Sequence, residues 1–285
     1  MGLIILELAN SEGGKKMKDC HVHTILSYDG RATMQEYIDV MPSKNVDEIT
    51  FTEHYDISDG IHISLPNIDL MKYHYEYMKM KDSSSIPINF GLEVGLRPEH
   101  VAEIQNEISK YSFDFIVGSS HTVANRDIGE DKTFFEEFTQ HEAYMLYFNE
   151  VLKNIELYDD YDVYGHLDYI IRYGNYANKN LNYKDYQEIL DAILYALIKK
   201  GKGLEVNSAA YRFGNTFPHP NIEILKKYKD YGGKILTIGS DAHKSRELAR
   251  DLDLTLDAIE SCGFDEICVF HKRQPDFVKV KSLKR

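Results

Sequence analysis

The order of segments along this chain predicts an α/β protein whose parallel strands close into a barrel, as one domain. Short β-like runs alternate with amphipathic helical runs over most of the 285 residues, the pattern of repeated βα units with right-handed crossovers. Seven or eight such units follow one another with no linker, repeat or low-complexity tract, which favours a closed barrel over an open doubly wound sheet. No Gly-rich dinucleotide fingerprint or phosphate-loop signature occurs, so the usual reason to expect the open sheet is missing.

The barrel is expected to begin near Met17. Residues 1–16 read as an upstream extension. Gly2–Ala9 (GLIILELA) is apolar, but Glu7 interrupts it and no basic stretch precedes it, as a secretory signal would require. An extra strand over 3–8 is the alternative. The strands are then expected at Lys18–His23, Glu48–His54, Ile88–Val94, Phe113–Ser119, Asp162–His166, Gly203–Asn207 and Ile235–Gly239, with another at Glu266–Phe270. Helices are expected between them, at Thr33–Met41, Asp69–Met80, Pro98–Ser109, Glu142–Tyr158, Lys184–Lys200, Asn221–Tyr231 and Ser245–Ser261. The Lys184–Lys200 stretch is the clearest: Tyr186, Ile189, Leu190, Ile193 and Leu197 share a face, Lys199 and Lys200 suit its C-terminal end, and Gly201 is a natural stop.

Composition narrows the function. Lys and Arg total 33 against 46 Asp and Glu, a net charge of −13, so bulk binding to nucleic acid or anionic lipid is not expected. A small phosphorylated substrate remains compatible, because a metal ion or a few arginines can reverse the potential locally. No apolar run approaches the roughly 20 residues of a membrane span. Cys20, Cys262 and Cys268 form no CxxC and are odd in number, which reads as reduced thiols in a cytoplasmic protein.

The chemistry lies in what ends each strand. The first ends in Asp19-Cys20-His21-Val22-His23, the second in Thr52-Glu53-His54 and the third in Gly91-Leu92-Glu93-Val94-Gly95. The fourth runs into Gly118-Ser119-Ser120-His121, the fifth into Gly165-His166-Leu167-Asp168, the sixth into Glu205-Val206-Asn207, and the seventh into Gly239-Ser240-Asp241-Ala242-His243. A βα barrel gathers these C-terminal ends around one mouth. Six of the twelve histidines should therefore converge there with several carboxylates, a ligand set for Zn, Fe or Mn. His21 and His23 are two apart, so a strand points both to one face; Asp241 and His243 have the same spacing. Nine or ten ligands exceed what one ion takes, so two or three ions sharing a carboxylate is the natural count. One HxH pair is weak, whereas seven strand ends each delivering a ligand-type residue is not. His62, His74, His100, His141, His219 and His271 fall in loops or on helical faces and are expected to be solvated or to pack.

These motifs, taken together as DxHxHT, TEH, GLEVG, GSSH, GHLD, ExN and GSDAH, resemble the PHP (polymerase and histidinol phosphatase) superfamily over nearly the whole chain from Met17. The resemblance implies a distorted (β/α)7 barrel, TIM-like and single-domain over 17–285, with three divalent metal ions. It implies a first ion on His21, His23, Glu93 and Asp241, a second sharing Glu93 and adding His121 and His166, and a third on His54, His243 and Asp29. Many members carry histidine where this chain has Asp29, a change that bears on the third site. The segments Gly203–Pro220 (GLEVNSAAYRFGNTFPHP) and GHLDYIIRY look most like stand-alone histidinol-phosphate phosphatases, which hydrolyse L-histidinol phosphate in histidine biosynthesis.

That resemblance frames a mechanism. A water bridging two cations, its pKa lowered, would supply the nucleophile, and the ions with Arg172 and Arg212 would neutralise the phosphoryl oxygens. The leaving oxygen would take its proton from water on the third ion, or from His243 or Asp241 if either is free of a ligand role. Glu53 and Asp168 adjoin ligands and are candidates to orient them, while Glu205 and Asn207 share a face of the sixth strand and are candidates to line the pocket. Two rivals stand: a PHP-type esterase acting on nucleotides or phosphotyrosine, and a metal-stabilised binding module without turnover.

Overall fold

The computed structural model describes residues 16–58 and 68–284. The chain runs β1 (Met17–Val22), α1 (Met34–Lys44), β2 (Val46–Tyr55), α2 (Leu70–Ser83), β3 (Ile88–Gly95), α3 (Val101–Ile108) and β4 (Phe115–Ser119). A two-stranded hairpin, β5 (Thr122–Val123) and β6 (Arg126–Asp127), and a short α4 (Phe134–Glu137) precede α5 (Gln140–Leu157) and β7 (Val163–Tyr164). Then come α6 (Gln187–Lys199), β8 (Gly203–Asn207), α7 (Ala209–Arg212), α8 (Ile222–Asp230), β9 (Leu236–Gly239) and α9 (Leu252–Ser261). A second hairpin, β10 (Glu266–His271) and β11 (Gln274–Lys279), and α10 (Val280–Leu283) end it.

Seven strands form one parallel sheet in the order β1-β2-β3-β4-β7-β8-β9. The two ends of the sheet meet. A parallel bridge joins Val22 to Ala242, with Asp241 N–H donating to His21 O (2.9 Å) and His23 N–H to Ala242 O (2.9 Å). The barrel thus closes on seven strands, as the resemblance implied. The ladders are unequal: β2 and β3 pair over seven residues, whereas β7 pairs with β4 and with β8 over two each. The strand expected over Asp162–His166 is cut to two residues because the chain turns at Gly165 and His166, where His166 has φ 22°.

Helices cover the barrel with the faces their periodicity predicts. Leu190, Ile193, Leu194 and Leu197 of α6 are buried, and Gly201 (φ +67°) ends it as expected. Its first turn is a 3-10 segment, Tyr183–Tyr186, so the α-helix starts later than the spacing predicts. Thr33 and Thr139 cap α1 and α5 with reciprocal bonds from Glu36 and Glu142.

Two expectations are corrected here. The helix expected over Ser245–Ser261 is broken: a 3-10 turn spans Ser245–Glu247, and α9 starts only at Leu252. The break lets Ala249 N–H reach Asp19 Oδ2 (2.8 Å) and Arg250 O accept from Ser208 Oγ (2.7 Å), with Ala249 and Asp251 at positive φ. The strand at Glu266–Phe270 is real but lies outside the barrel sheet. It pairs antiparallel with β11 through a turn at Lys272 and Arg273, and its Cys268, Val269 and Phe270 pack on Cys20, Phe115, Val117 and Val163, sealing the barrel's N-terminal end. The possible strand at 3–8, and His62, lie outside the described residues.

Candidate metal centre

The register of the ladders builds the site. In parallel strands, paired residues share a face, and His54 is paired with Glu93. The β1–β9 closure brings His21 and His23 beside Asp241. His121 follows β4, and His166 follows β7. Gly239 permits the close approach: a Cβ there would lie 2.4 Å from His21 Cβ and 2.5 Å from Glu205 Oε1.

All nine sequence-predicted ligands meet at the C-terminal mouth. Glu93, fully buried, is the hub. Its Oε2 lies 3.2 Å from His21 Nε2, 3.4 Å from His23 Nε2 and 3.0 Å from His54 Nδ1. Its Oε1 lies 2.8 Å from His166 Nε2 and 3.3 Å from His121 Nε2. Asp241 Oδ1 is 3.4 Å from His23 Nε2 and 3.8 Å from His21 Nε2. At the outer edge, Asp29 sits 2.9 Å from His243 Nε2 and 3.7 Å from His54 Nε2. Three triads have ligand atoms mutually within 4.8 Å: His21–His23–Asp241, His54–Glu93–His121 and His23–His54–His243. The first triad falls within the implied first set, whereas the second places His54 rather than His166 with Glu93 and His121, and the third places His23 rather than Asp29 with His54 and His243; His54 faces Glu93 with one ring nitrogen and Asp29 with the other.

These contacts do not satisfy the groups. Glu93 Oε2, His54 Nδ1, Asp29 Oδ1 and His243 Nε2 are buried and make no hydrogen bond, although charged partners lie within ion-pair reach. They are close but misdirected. Two imidazole Nε2 atoms, of His21 and His23, face each other at 2.9 Å. Buried imidazole and carboxylate atoms that converge without well-directed hydrogen bonds are what a cation would organise, so the donor set fits divalent ions.

The electrostatics agree. Burial opposes protonation of His21, but Glu205 and Glu93 outweigh it and raise its pKa well above the histidine value. His54 is raised to about 10, burial again being outweighed by Glu93 and Asp29. Burial would push Glu93 up, yet the surrounding His21, His54 and His121 hold it well below the carboxylate range. The carboxylates thus need positive charge, which protons supply here and divalent ions would supply better.

A second ring of residues fixes the first. Glu205 binds His21 Nδ1 (2.5 Å) and accepts from His166 N–H (3.0 Å). Asn207 donates to Glu205 (3.1 Å) and lies behind the mouth rather than lining it. Glu53, on the opposite face of β2, accepts from Thr24 N–H (3.1 Å) and from Ser27 Oγ (2.5 Å), and Ser27 Oγ lies 3.4 Å from His23 Nδ1. Asp168 contacts none of these ligands. It binds His219 Nδ1 (2.6 Å) and Asn221 N–H (3.0 Å), tying the Tyr169–Arg172 turn to the start of α8. This corrects the expectation for Asp168, and also that for His219, which is fully buried rather than solvated.

Sequence reasoning missed two residues. Asp56 binds His121 Nδ1 (2.8 Å), and its only signal was its position two after His54 at a strand end. Asp19 accepts from Ser240 N–H (2.9 Å), Ser240 Oγ (2.5 Å) and Ala249 N–H, locking β1 to the turn that carries Asp241. The two arginines differ. Arg212 donates to Ser240 O (2.6 Å) and Asp241 O (2.8 Å), bracing that turn. Arg172, only 7% exposed at its side chain, leaves Nε and Nη2 without a hydrogen bond, with Nη2 3.7 Å from Asp241 Oδ2. The rings of Tyr169 and Phe213 flank its guanidinium at 4.7 and 4.4 Å. Both arginines line a mouth cavity of about 680 Å³ that opens onto His54, His121, His166, Asp241 and His243.

The chain resembles known proteins over most of its length. A family model described as the PHP domain matches residues 19–209. The histidinol-phosphatase of Lactococcus lactis is 30% identical over 94% of this chain and 99% of its own length. The crystal structure of the L. lactis histidinol phosphate phosphatase, complexed with zinc, L-histidinol and phosphate, superposes with a TM-score of 0.81 at 29% identity, over 92% of this chain and 99% of that one. With the motif order, the seven-strand closure and the histidine–carboxylate cluster in agreement, the chain belongs to the PHP domain family.

Proposed function

We propose that the protein is a metal-dependent phosphomonoesterase that hydrolyses L-histidinol phosphate to L-histidinol and phosphate. The observation that carries this reading is Glu93, whose two oxygens face different sets of imidazoles, the posture of a carboxylate shared between two cations. In this reading His21, His23, Glu93 and Asp241 hold one ion, Glu93, His121 and His166 a second, and His54, His243 and Asp29 a third. Zinc is the first candidate, with Fe and Mn as alternatives. The catalytic domain is assigned to residues 17–285, and the upstream extension read from the sequence lies, but for Lys16, outside the described residues. No helix among the described residues is long and apolar enough to cross a membrane, and the three cysteines are free and buried, which suits a cytoplasmic enzyme.

Bound divalent ions would supply an acidified water and neutralise charge on the phosphoryl group. The chain's own residues do the rest. Arg172 presents its unbonded N–H groups to the phosphate oxygens, held in place by the two aromatic rings that flank it. Arg212 keeps Asp241 at the mouth through its backbone carbonyls. As the oxygen of water bonds to phosphorus and the ester P–O bond breaks, the alkoxide needs a proton. His243 Nε2, at the outer edge, donates it when that nitrogen is not engaged by a cation. Asp241 serves only when free of its ligand role: burial pushes its carboxyl up, but its surroundings, His23 foremost, hold it well below the carboxylate range. No thiol competes as nucleophile: burial pushes the Cys20 thiol well up, and its side chain lies in the sealed end of the barrel.

The test is steady-state phosphate release by the zinc-loaded protein from L-histidinol phosphate, a mononucleotide and phosphotyrosine. A kcat/KM preference of at least about tenfold for histidinol phosphate, ~1.4 kcal/mol of transition-state binding, is expected. A tenfold preference for another ester would overturn the substrate, and bound metal with no hydrolysis of any ester would overturn the activity.

A further inference from the structure

A second cavity, of about 610 Å³, lies on the outer flank of the barrel, between α2, the start of β4 and the β10–β11 turn. It shares no lining residue with the mouth cavity. One wall comes from α2, where His74, Tyr77, Met78 and Lys81 fall at i, i+3, i+4 and i+7 and so share a face. The opposite wall is aromatic. Tyr77 stacks on Phe90 (ring centroids 4.8 Å apart), and Phe90 stacks on Phe113 (4.5 Å). The His74 ring stands 5.2 Å from Phe90 and 5.7 Å from Tyr111. Phe90 and Phe113 are buried, whereas His74 and Tyr111 are only half-buried, so the wall is open on their side.

The polar groups around this wall are donors without acceptors. Lys81 Nζ lies 5.4 Å from the centre of the Tyr77 ring, at the edge of the wall. Neither this ammonium nor that of Lys272 pairs with a carboxylate among the described residues, and the His74 ring makes no hydrogen bond among them. Other lysines of this acidic chain do find acids: Lys18 meets Glu48, Lys200 meets Asp159 and Lys284 meets Glu260. The acid of the cavity, Asp114, is already engaged. Its Oδ1 accepts from Lys272 N–H (3.0 Å) and its Oδ2 from Phe90 N–H (3.0 Å). Arg273 turns away to Asp160 and Asp162. A smaller chamber of about 400 Å³ adjoins and is also lined by Lys81 and Lys272, so the two ammonium groups stand where the chambers meet.

We propose that this cavity is a second small-molecule site, for a flat aromatic carboxylate. The ring lies against the His74–Phe90–Tyr111 wall, and the carboxylate sits between Lys81 and Lys272. A cavity of this size suits a small ligand, and ring faces add to the area that a planar molecule buries. An organic cation would meet two ammonium groups and a carboxylate whose lone pairs are already used. A phosphate dianion would be repelled more strongly than a monoanion by Asp114 in the same lining. The site needs neither the metal ions nor the phosphatase reading.

Calorimetry on the zinc-loaded full chain tests this with 2-naphthoate as the probe. Neutral 2-naphthylmethanol, cationic 2-naphthylmethylamine and non-aromatic cyclohexanecarboxylate are the controls, and excess inorganic phosphate keeps carboxylates off the metal centre throughout. One 2-naphthoate per chain should bind with a Kd of about 100 µM or tighter, and each control at least about tenfold more weakly. Lys81 and Lys272 are exposed, so the Lys81→Ala/Lys272→Ala double variant should keep the wild-type melting temperature. It should nevertheless bind 2-naphthoate at least about tenfold more weakly, and the two arginine replacements should restore most of the affinity. Absence of binding at about 1 mM, equal affinity for the neutral alcohol or the aliphatic acid, or full affinity in the double variant would each overturn the assignment.

Discussion

The two ends of the barrel treat charge in opposite ways. At the N-terminal end, polar groups are paired. Arg273 reaches Asp162 (2.6 Å) and Asp160 (2.8 Å), Lys18 reaches Glu48 (2.9 Å) and Asp47 (3.1 Å), and His271 sits between Glu48 (2.6 Å) and Asp276 (2.7 Å). At the C-terminal mouth, buried atoms of Glu93, His54, Asp29, His243 and Arg172 make no hydrogen bond. Closed networks stabilise a fold, whereas a cluster left open is stable only when something else completes it. The contrast separates the part of the molecule built for stability from the part built for ligands.

The sharpest way to break this contrast is to remove the completing ions. Chelation should abolish phosphomonoester hydrolysis, by at least about 10³-fold, and added zinc should restore it. The loaded protein should also melt at a higher temperature, because ions bind only the folded cluster. A stripped protein that keeps its activity would erase the distinction. Next comes Glu93→Gln, which keeps the shape but removes the charge both imidazole sets face. It should lower kcat/KM at least about 10³-fold and reduce the zinc content found by metal analysis. Arg172→Ala should cost about 10²-fold in kcat/KM, with lysine restoring only part, since an ammonium cannot replace the planar fork.

The base should respond in stability instead. Arg273→Ala leaves Asp162 buried beside Ile116 N–H without its ion-pair partner, and should lower unfolding stability by about 2 kcal/mol in urea while kcat stays at the wild-type value. The smallest effect belongs to His271. Burial opposes its protonation, but Asp276 and Glu48 raise its folded pKa. The stability it contributes is therefore fully present below its unfolded pKa, near 6.5, and is lost as pH rises through the higher folded value. The group is largely exposed, so His271→Gln should remove only a few tenths of a kcal/mol at pH 6 and nothing at high pH. A drop in kcat from either base variant would blur the boundary between the two ends.

The mouth was legible in the sequence because ligands at strand ends are local. Each of His21, His23, His54, Glu93, His121, His166, Asp241 and His243 adjoins a hydrophobic β run, and βα topology brings such ends together. What escaped depended on contacts between distant segments. His219 sits in a Pro- and Asn-rich loop that reads as solvated, and the backbone pairing of Asn207 with His219, together with Asp168 on its ring, carries it inside. Asp168 looked like a partner of its neighbour His166, but the turn after β7 aims it at that loop instead. The β10–β11 turn has no glycine or asparagine; Lys272 (φ 50°) and Arg273 (φ 66°) adopt the left-handed region themselves, so the usual hairpin signal was missing.

The brevity of β7 has a dynamic consequence. With only two ladder residues on either side, the junction between β4 and β8 is where the wall should breathe first, and its amide protons should exchange with solvent sooner than those between β2 and β3. His121, after β4, and His166, after β7, project from the two sides of the short β4–β7 ladder toward one oxygen of Glu93. An ion gripped by both would act as a clasp, so slower deuterium uptake around Val163 and Tyr164 would report its arrival before any substrate is added.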